Sequence, residues 1–376
     1  MKGRFEFDFV IVGAGPAGCV LANRLSKDPN NSVLLLEAGG TDRYHCIFIP
    51  IGYLYCMGNP RTDWMMRTEP ESGLNGRALN YPRGKVLGGC SSINGMIYMR
   101  GQEADYDSWR QMGNAGWGWN DVLPYFRMSE DYHAGASEAH GEGGELRVER
   151  QRLSWSILDA SQDAAEELGI PRIDDFNTGD NHGSGYFDVH QRRGLRWNAS
   201  KAFLRPALHR KNLTVLTGAE VTCLNLAGDR VTGLCFRHLG VSSEATAARE
   251  VIVSAGAINS PKLLELSGIG RPEILEPLGL HVRHQLDGVG ENLQDHLQIR
   301  TVFKVEGAKT LNRLYHSLQS RAAMGLEYAL RRSGPLSMAP SQLGIFARSG
   351  PEVATPNLEY HVQPLSTDRL GEPLHR

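Results

Sequence analysis

The sequence predicts an α/β fold, and three observations favour it. A β-rich run over residues 7–12 leads into a glycine-rich turn over 13–18. A helical pattern over 19–25 and a second buried strand over 32–36 follow, so that a β-α-β unit forms within about thirty residues. The chain has 376 residues, of which 41% are hydrophobic and 22% are charged. A chain of this length and composition is expected to bury a large core and to form two domains.

Later segments alternate between loops, helices and strands. Residues 41–120 are rich in glycine, proline, asparagine and aromatic side chains, so we expect mostly loops with short helices there. Amphipathic spacing predicts helices over 155–168 and 318–330. Strands are expected over 213–221, 230–237 and 251–256, and a helix over 260–266 with Pro261 in its first turn.

Composition excludes several classes of protein. Forty Lys and Arg residues against 42 Asp and Glu residues leave a formal charge of −2, which gives no support to a nucleic-acid partner. Glu6 and Asp8 interrupt the first apolar run, so it does not read as a secretory signal, and no stretch is long enough to predict a transmembrane segment. Six cysteines without a C-x-x-C pattern predict free thiols in a reducing compartment, and Cys/His spacing typical of a zinc site is absent. We therefore expect a cytoplasmic protein without a metal.

The first turn carries a G-x-G-x-x-G pattern formed by Gly13, Gly15 and Gly18. In this pattern the first glycine makes the tight turn, the second lets the backbone approach a pyrophosphate, and the third lets the helix pack on the strand. The helix N-terminus adds N–H groups and the positive end of a dipole. Glu37 closes the second strand, where a carboxylate accepts hydrogen bonds from an adenosine ribose. We predict a dinucleotide site here rather than a glycine turn without a ligand.

The dinucleotide could carry a nicotinamide or a flavin. A nicotinamide enzyme continues its sheet through further β-α units, but residues 41–200 do not alternate in that way. The next buried strand that ends in a glycine turn is the one over 251–256. A nucleotide-binding half interrupted by so long an insertion favours a flavin held between two domains.

A second glycine-rich segment spans residues 83–101 and reads R-G-K-V-L-G-G-C-S-S-I-N-G-M-I-Y-M-R-G. Its glycines and serines provide many backbone donors and small side chains, which suits a chain that lies against a planar or charged ligand. Its apolar residues indicate burial rather than a solvent-exposed loop: Val86, Leu87, Ile93, Met96 and Ile97.

Three segments resemble one known family. Residues 84–94 (G-K-V-L-G-G-C-S-S-I-N) resemble the first signature of the glucose–methanol–choline (GMC) flavin oxidoreductases, and residues 256–270 resemble the second. Residues 290–296 (G-E-N-L-Q-D-H) resemble the G-x-N-L-Q-D-H stretch of that family. With the N-terminal glycine pattern, four motifs occur in family order across nearly the whole chain. The nearest resemblance is to the choline-dehydrogenase-like alcohol dehydrogenases.

The resemblance implies an FAD-dependent oxidoreductase that oxidises an alcohol to an aldehyde by hydride transfer to flavin N5. It implies a Rossmann-like FAD-binding domain over 1–155 and 200–296, with a mainly parallel sheet and a β-meander near 213–253. An α+β substrate domain built on an antiparallel sheet would be interleaved with it, over 156–199 and 297–376.

The resemblance also assigns residues to the cofactor. They divide into groups for the pyrophosphate (Gly13, Gly15, Gly18), the adenosine ribose (Glu37 with its neighbour Ala38), the isoalloxazine and ribityl part (Val86, Asn94, Gly95, Met96, Ile97), the adenine (Val221) and the stretch from diphosphate to flavin (Ala255).

Two departures from the family pattern bear on the chemistry. Some members attach FAD through a histidine in the Ser-Ser-x-Asn position, which is Ile93 here, so we predict non-covalent FAD. Choline-specific relatives place a glutamate shortly before a Gly-x-Phe sequence, where this chain has Gln342. A neutral amide offers a quaternary cation no counter-charge, and we therefore favour a neutral primary alcohol as substrate.

The catalytic residues of the family are a histidine and a following asparagine or second histidine near the C-terminus. This chain ends at Arg376 within what resembles the substrate domain, so the resemblance implies that a C-terminal part with that pair lies beyond it. No histidine within the chain is assigned as the base. His133, His140 and His182 are expected to be exposed, and His361 to be a structural histidine on a strand.

Several readings of the function stay open. The electron acceptor could be a quinone, a cytochrome, a dye or, in an oxidase, O2. A hydroxynitrile-lyase-like member that uses FAD structurally, or a non-catalytic fragment of the same fold, is the alternative to an alcohol dehydrogenase. The aromatic residues of 41–125 could form a lid or the surface of a homodimer, or could simply be core.

Overall fold

The computed structural model describes residues 4–367, 374 and 375, and it divides the chain into two compact units. The first unit comprises Met1–Tyr44, Cys56–Ile93 and Asn198–Arg300, and the second comprises His45–Tyr55, Asn94–Trp197 and Thr301–Arg376. Relative to the domain bounds expected from the sequence, residues 45–55 and 94–155 group with the second unit, and residues 198–199 and 297–300 group with the first. For residues 94–155 this reflects pairing with a later segment, since Ile97 and Glu149 both form β-bridges with Val189.

The strands of the two larger sheets are numbered in chain order. They are β1 (Arg4–Val12), β2 (Val33–Glu37), β3 (Gly183–Tyr186), β4 (Leu213–Thr217), β5 (Ala219–Ala227), β6 (Arg230–His238), β7 (Val241–Val253), β8 (Leu343–Ala347) and β9 (Leu358–Val362).

The longer helices are numbered in the same way. They are α1 (Pro16–Leu25), α2 (Glu103–Gln111), α3 (Trp119–Ser129), α4 (Ser156–Glu167), α5 (Gly256–Leu266) and α6 (Leu318–Arg331).

Shorter elements complete the described chain. The short helices are His45–Phe48, Arg205–Ala207, Pro272–Leu275 and Leu311–Tyr315, with 3-10 turns at Pro50–Tyr55, Ser72–Leu74, Gly89–Ser92, Glu276–Leu278 and Pro335–Ser337 and a π-helical turn at Ser200–Leu204. The two-stranded pairs are Met66–Arg67 with Asn80–Tyr81, Glu130–Tyr132 with Leu146–Val148, Gln191–Arg192 with Leu195–Arg196, and Ile269–Gly270 with His284–Gln285.

The first unit is built on a six-stranded sheet in the order β4-β2-β1-β7-β6-β5. The strands β4, β2, β1 and β7 are parallel, and β7, β6 and β5 form an antiparallel meander. All five residues of β2 are buried, as expected for a parallel strand covered on both faces. The predicted α/β class, with its mainly parallel sheet and added meander, is confirmed.

Several predicted elements of this unit differ in their bounds. The strand expected over 251–256 is the end of β7, which runs from Val241 to Val253, and the helix expected over 19–25 begins at Pro16. The single strand expected over 213–221 is divided by Gly218, which adopts a φ of +68° and turns the chain from β4 into β5. The helix expected over 260–266 begins at Gly256, so Pro261 lies inside α5 rather than in its first turn. Neither the turn at Gly218 nor the helix start at Gly256 changes the pattern of apolar residues. The pattern alone therefore did not reveal these bounds.

The second unit is built on a three-stranded antiparallel sheet in the order β9-β8-β3. Successive residues of β8 face opposite sides. Leu343 packs in a core cluster with Leu158 of α4 and Met324 of α6. Phe346 packs with Phe187 on the other face, in a cluster that also includes Phe176 and Ile97. One face of the sheet is therefore covered by helices, and the other adjoins the predicted flavin-lining segment.

Within the described residues, no helix is both long enough and apolar enough to cross a bilayer.

Candidate functional site

The glycine turn after β1 shows what each of its glycines is needed for. Gly13 has a φ of +92°, and a Cβ there would lie 2.8 Å from the backbone oxygen of Ser254. A Cβ on Gly18 would lie 1.9 Å from the Gly13 oxygen, so only glycine lets α1 pack this close to the turn. Gly15 is different, because its φ is −70° and the nearest atom to an added Cβ is 4.0 Å away. Neither backbone conformation nor packing within the chain requires a glycine at position 15.

Glu37 ends β2 directly beside this turn. Its carboxylate accepts hydrogen bonds of 2.8 Å from the backbone N–H groups of Ala14 and Gly39, and the side chain is 5% exposed. Burial raises the pKa of Glu37 to about 7, although the two N–H donors and the charge of Lys85 act in the opposite direction. Each carboxylate oxygen has a second lone pair, so the group retains capacity for two ribose hydroxyls. Ala38 follows as a half-buried residue.

The second glycine-rich segment lies against the first turn. The N–H of Gly88 donates to the Ala14 oxygen over 2.8 Å, and a Cβ on Gly89 would lie 2.7 Å from Gly15 Cα. Val86 forms a bridge with Gly40, and the neighbouring backbone of Lys85 approaches Gly39 so closely that a Cβ there would lie 2.0 Å from the Lys85 oxygen. The two segments that the sequence singled out, far apart in the chain, therefore pack against each other.

The end of β7 completes this part of the site. The hydroxyl of Ser254 donates to the oxygens of Val12 and Gly13 over 2.9 and 3.0 Å. Ala255 follows at the start of α5, and its Cα lies 2.9 Å from where a Cβ on Gly13 would be. Two helices, α1 and α5, thus begin at the same turn.

Val221 lies on β5, three residues after Gly218, whose N–H donates to the oxygen of Gly39 over 2.8 Å. Its side chain packs on the core cluster of the large sheet. Of the residues assigned to the cofactor, the first unit therefore gathers Gly13, Gly15, Gly18, Glu37, Ala38, Val86 and Ala255 around one turn, with Val221 on a neighbouring strand.

The other assigned cofactor residues belong to the second unit. Met96 is fully buried and adopts a φ of +64°, and its N–H donates to Asn94 Oδ1 over 3.1 Å. A Cβ on Gly95 would lie 2.6 Å from Pro340 Cγ, so glycine is required there. Ile97 contacts the aromatic face of the antiparallel sheet. The segment is a tight, packed turn rather than a solvent loop.

Gln342 lies immediately before β8 and is fully buried. Its Nε2 donates to Gln151 Oε1 over 3.0 Å, and Gln151 donates back to the Gln342 backbone oxygen over 3.0 Å. The amide is thereby oriented, and Oε1 has no hydrogen-bond partner among the described residues. Gln342 therefore retains one unpartnered acceptor, on a buried atom.

His361 lies on β9, as predicted, where it pairs with Gly344. Its Nε2 is 2.7 Å from Glu359, and its ring lies tilted beside that of Phe187, with 5.4 Å between centroids. These contacts agree with a histidine that is held by the fold.

His140 is buried, contrary to the sequence-based expectation of exposure. Its Nδ1 lies 3.0 Å from Glu130 and its Nε2 lies 2.7 Å from Asp175, while Arg100 donates to Glu130 over 2.9 Å. Burial lowers the pKa of His140, but the hydrogen bonds that the imidazolium donates to both acids outweigh this effect and raise that pKa to about 9. The polar, glycine-rich stretch around His140 predicted a solvent-exposed side chain. The partners that bury it come from other segments, which local sequence does not reveal.

Sequence reasoning missed two other groups of contacts. Arg196 is fully buried and donates to both oxygens of Asn94. In the first unit, Asn198 donates to Ser92 Oγ over 2.7 Å and to Asp42 over 3.1 Å. The only sequence signal was the presence of polar residues in a segment without periodicity, and that signal does not distinguish them from a surface loop.

The residues present fit a dinucleotide cofactor. The turn leaves open space beside Gly15, helices begin at the turn, and a buried carboxylate stands at the end of the neighbouring strand with lone pairs to spare. Over the described part of the chain, no group of three or more His, Cys, Asp or Glu side chains is arranged to hold a metal ion.

Comparisons with known proteins agree on one family. The family model described as GMC oxidoreductase matches residues 7–298. Human choline dehydrogenase, a mitochondrial protein, is 40% identical over 373 residues, which is 96% of this chain and 62% of that protein. Alcohol dehydrogenase [acceptor] of Pseudomonas putida is 38% identical over 362 residues, which is 95% of this chain and 65% of that protein.

Solved structures give the same result. Pyridoxine 4-oxidase from Mesorbium loti matches with a TM-score of 0.78 and 32% identity, over 96% of this chain and 65% of that one. Formate oxidase matches with a TM-score of 0.83 and 28% identity, over 93% of this chain and 62% of that one. The chain therefore spans less than two thirds of the length of these relatives.

Proposed function

Because the chain belongs to the GMC oxidoreductase family, we propose that it binds FAD without a covalent link and takes part in oxidising a neutral primary alcohol to an aldehyde. Members of this family are FAD-dependent oxidoreductases that act on CH–OH donors. The chain covers only part of its relatives' length, so the activity is proposed for the complete protein.

The observation that carries the proposal is the open space at Gly15. Packing among the described residues does not require glycine at this position, and a glycine that leaves room is the feature a bound pyrophosphate needs. We assign the pyrophosphate to the turn formed by Gly13, Gly15 and Gly18, and the adenosine ribose to Glu37. The backbone of Val86, beside the same turn, would line the cofactor further along.

FAD, when bound, supplies the N5 atom that accepts a hydride from the alcohol carbon. The chain's own contribution is to hold and orient the ring system, for which we propose the packed turn from Asn94 to Ile97. Ile93 supports a non-covalent link because its side chain is aliphatic and 2% exposed, with no atom that could attack a flavin methyl group.

Gln342 supports a neutral substrate. It is a buried, oriented amide, and its unpartnered Oε1 suits a hydroxyl donor, whereas it provides no negative charge to a quaternary ammonium group. The proton acceptor is proposed to lie outside residues 1–376. His361, the strand histidine on the sheet, supports this because Glu359 already engages its Nε2.

All six cysteines are free thiols, which supports a reducing compartment such as the cytoplasm.

The test is to purify the chain, add FAD and remove unbound flavin by gel filtration. The expected result is flavin absorbance that co-elutes with the protein and is released into the supernatant by acid precipitation. Protein without flavin contradicts the cofactor assignment, and flavin that stays in the precipitate contradicts the non-covalent link. Alcohol oxidation is then assayed with a longer chain that includes the C-terminal residues of the relatives. The assay follows the reduction of a dye by a primary alcohol under anaerobic conditions. Cyanide release from mandelonitrile without flavin reduction would support the lyase alternative instead.

A further inference from the structure

The turn at Asn94 is held in a conformation that its residues do not prefer. Met96 adopts a φ of +64°, in the left-handed region that is unfavourable for a residue with a Cβ. Its N–H donates to Asn94 Oδ1 over 3.1 Å, and its own oxygen accepts from the N–H of His190 over 3.0 Å. Contacts from other segments therefore have to stabilise this turn.

Arg196 supplies two hydrogen bonds to this turn. The side chain is fully buried, and its guanidinium donates to Asn94 Oδ1 over 2.8 Å and to the Asn94 backbone oxygen over 2.7 Å. A third donor, Nε, bonds the Ile47 oxygen over 2.9 Å. The planar fork of arginine is what allows one side chain to hold both oxygens of Asn94 at once.

These contacts determine which way the Asn94 amide points. Both groups that meet Oδ1, the Met96 N–H and the guanidinium, are obligate donors, so that atom has to be the oxygen. The two N–H donors of Nδ2 consequently point the other way. They meet no acceptor among the residues the structure describes, although Asn94 is half-buried.

We propose that Arg196 is a positioning residue, which orients the Asn94 amide so that its Nδ2 donates a hydrogen bond to an acceptor atom of the flavin. The inference rests on the proposed function, because it takes FAD as the ligand beside Asn94. It adds a role for a residue about a hundred positions away in the sequence, which touches the cofactor only through Asn94.

The first experiment isolates the donor. Asn94→Asp keeps an oxygen for Arg196 and for Met96 but has no N–H to donate, so the turn should stay intact. FAD is titrated into the apo form of the full chain, and quenching of flavin fluorescence gives Kd. We expect Asn94→Asp to unfold in urea at no lower a midpoint than the wild type, and to bind FAD about tenfold more weakly or worse. Wild-type affinity in this variant would overturn the proposal.

The second experiment tests whether Arg196 acts through Asn94. Arg196→Lys keeps the charge but cannot hold both oxygens, and we expect about a tenfold loss of FAD affinity and an altered visible flavin spectrum. Combined with Asn94→Ala, Arg196→Lys should weaken FAD binding no further than Asn94→Ala alone. Additive losses would show that Arg196 acts independently and would overturn the proposal.

The matched control is Arg100→Lys, an arginine of the same unit that is 3% exposed and bonds Glu130 rather than Asn94. It should lower the urea midpoint without changing FAD affinity or the flavin spectrum. A wild-type chain that binds no FAD would refute the proposed function itself. A wild-type chain that binds FAD, with additive losses in the cycle, refutes only the role of Arg196.

Discussion

Glu37 accepts a hydrogen bond of 2.8 Å from the backbone N–H of Ala14, so the acid that ends β2 contacts the glycine turn that ends β1. This contact has a consequence for stability, because burial raises the pKa of Glu37 from 4.5 to about 7. Between these two values the folded chain keeps a proton that the unfolded chain has lost. The free energy of unfolding should therefore fall as pH rises through this window, by about 3 kcal/mol in total.

Urea unfolding of the flavin-free chain at a series of pH values measures this effect. Glu37→Gln has no proton to lose at this position, and its stability should lack the fall between pH 4.5 and about 7. Identical pH profiles for the two proteins would contradict the assignment of a raised pKa to Glu37.

The same substitution should weaken FAD binding. The carboxylate of Glu37 accepts hydrogen bonds from ribose hydroxyls more strongly than a neutral amide does, so we expect a loss of about ten- to a hundredfold in affinity. Asp8→Asn is the matched control, because Asp8 holds the backbone N–H of Ser32 over 2.7 Å at the opposite end of β2. Equal losses of FAD affinity in the two variants would indicate a general effect on the sheet.

Substitution by alanine should affect FAD affinity at Gly15 and stability at Gly18. In Gly15→Ala, the nearest atom to the new methyl group is 4.0 Å away. The free energy of unfolding should therefore change by less than about 1 kcal/mol, whereas FAD affinity should fall at least about tenfold. Gly18→Ala places the methyl group 1.9 Å from the Gly13 oxygen and should destabilise the chain by about 3 kcal/mol or more. Urea midpoints and FAD titrations separate the two. An unchanged FAD affinity in Gly15→Ala would remove the main support for the cofactor site.

The glycine turn could be predicted because everything it requires is local in the sequence. Its strand, its three glycines, its helix and Glu37 occur in register within a short stretch, and the structure has the same arrangement. The packing of residues 84–93 against this turn could not be predicted from local pattern. Backbone contacts such as Gly88 to Ala14 carry no side-chain signal that periodicity could detect.

What could not be predicted depends on partners that are distant in the chain. From the sequence alone, Arg196 would be expected at the surface. It is buried because Asn94 provides two acceptor oxygens, and a buried guanidinium is tolerated only when such acceptors exist. His140 was expected in solvent for the same reason, since its acids lie at positions 130 and 175. The grouping of residues 94–155 with the second unit likewise depends on bridges to the distant Val189.

Gln342→Glu should test the argument about substrate charge. A carboxylate at this fully buried position, beside the neutral amide of Gln151, should lower stability by about 1–3 kcal/mol at neutral pH. Choline should raise the melting temperature of FAD-loaded Gln342→Glu and leave that of the wild type unchanged, because only the variant offers the ammonium group a counter-charge. Gln363→Glu, a change at a half-buried glutamine of the same unit, is the control and should not respond to choline. A choline response in the wild type would contradict the preference for a neutral alcohol.

His140 should make the stability of the second unit depend on pH in the alkaline range. Its pKa rises from 6.5 to about 9 in the folded chain, because the hydrogen bonds that its ring donates to Asp175 and Glu130 outweigh burial. Between these values the folded chain holds a proton that the unfolded chain has released, so the stabilisation is complete below pH 6.5 and is lost as pH rises through about 9. The amount at stake is on the order of 3 kcal/mol.

His140→Gln should remove this dependence, since glutamine keeps a hydrogen-bonding side chain but carries no titrating proton. Urea unfolding from pH 6 to 10 should show a decline in the wild type that is absent in the variant, with the variant less stable by about 3 kcal/mol at pH 6. His182→Gln, at a half-buried histidine of the same unit, should retain the wild-type profile. If His140→Gln also loses stability between pH 6.5 and 9, another group is responsible for the decline. In that case His140, paired with its two acids, does not retain its proton over this pH range.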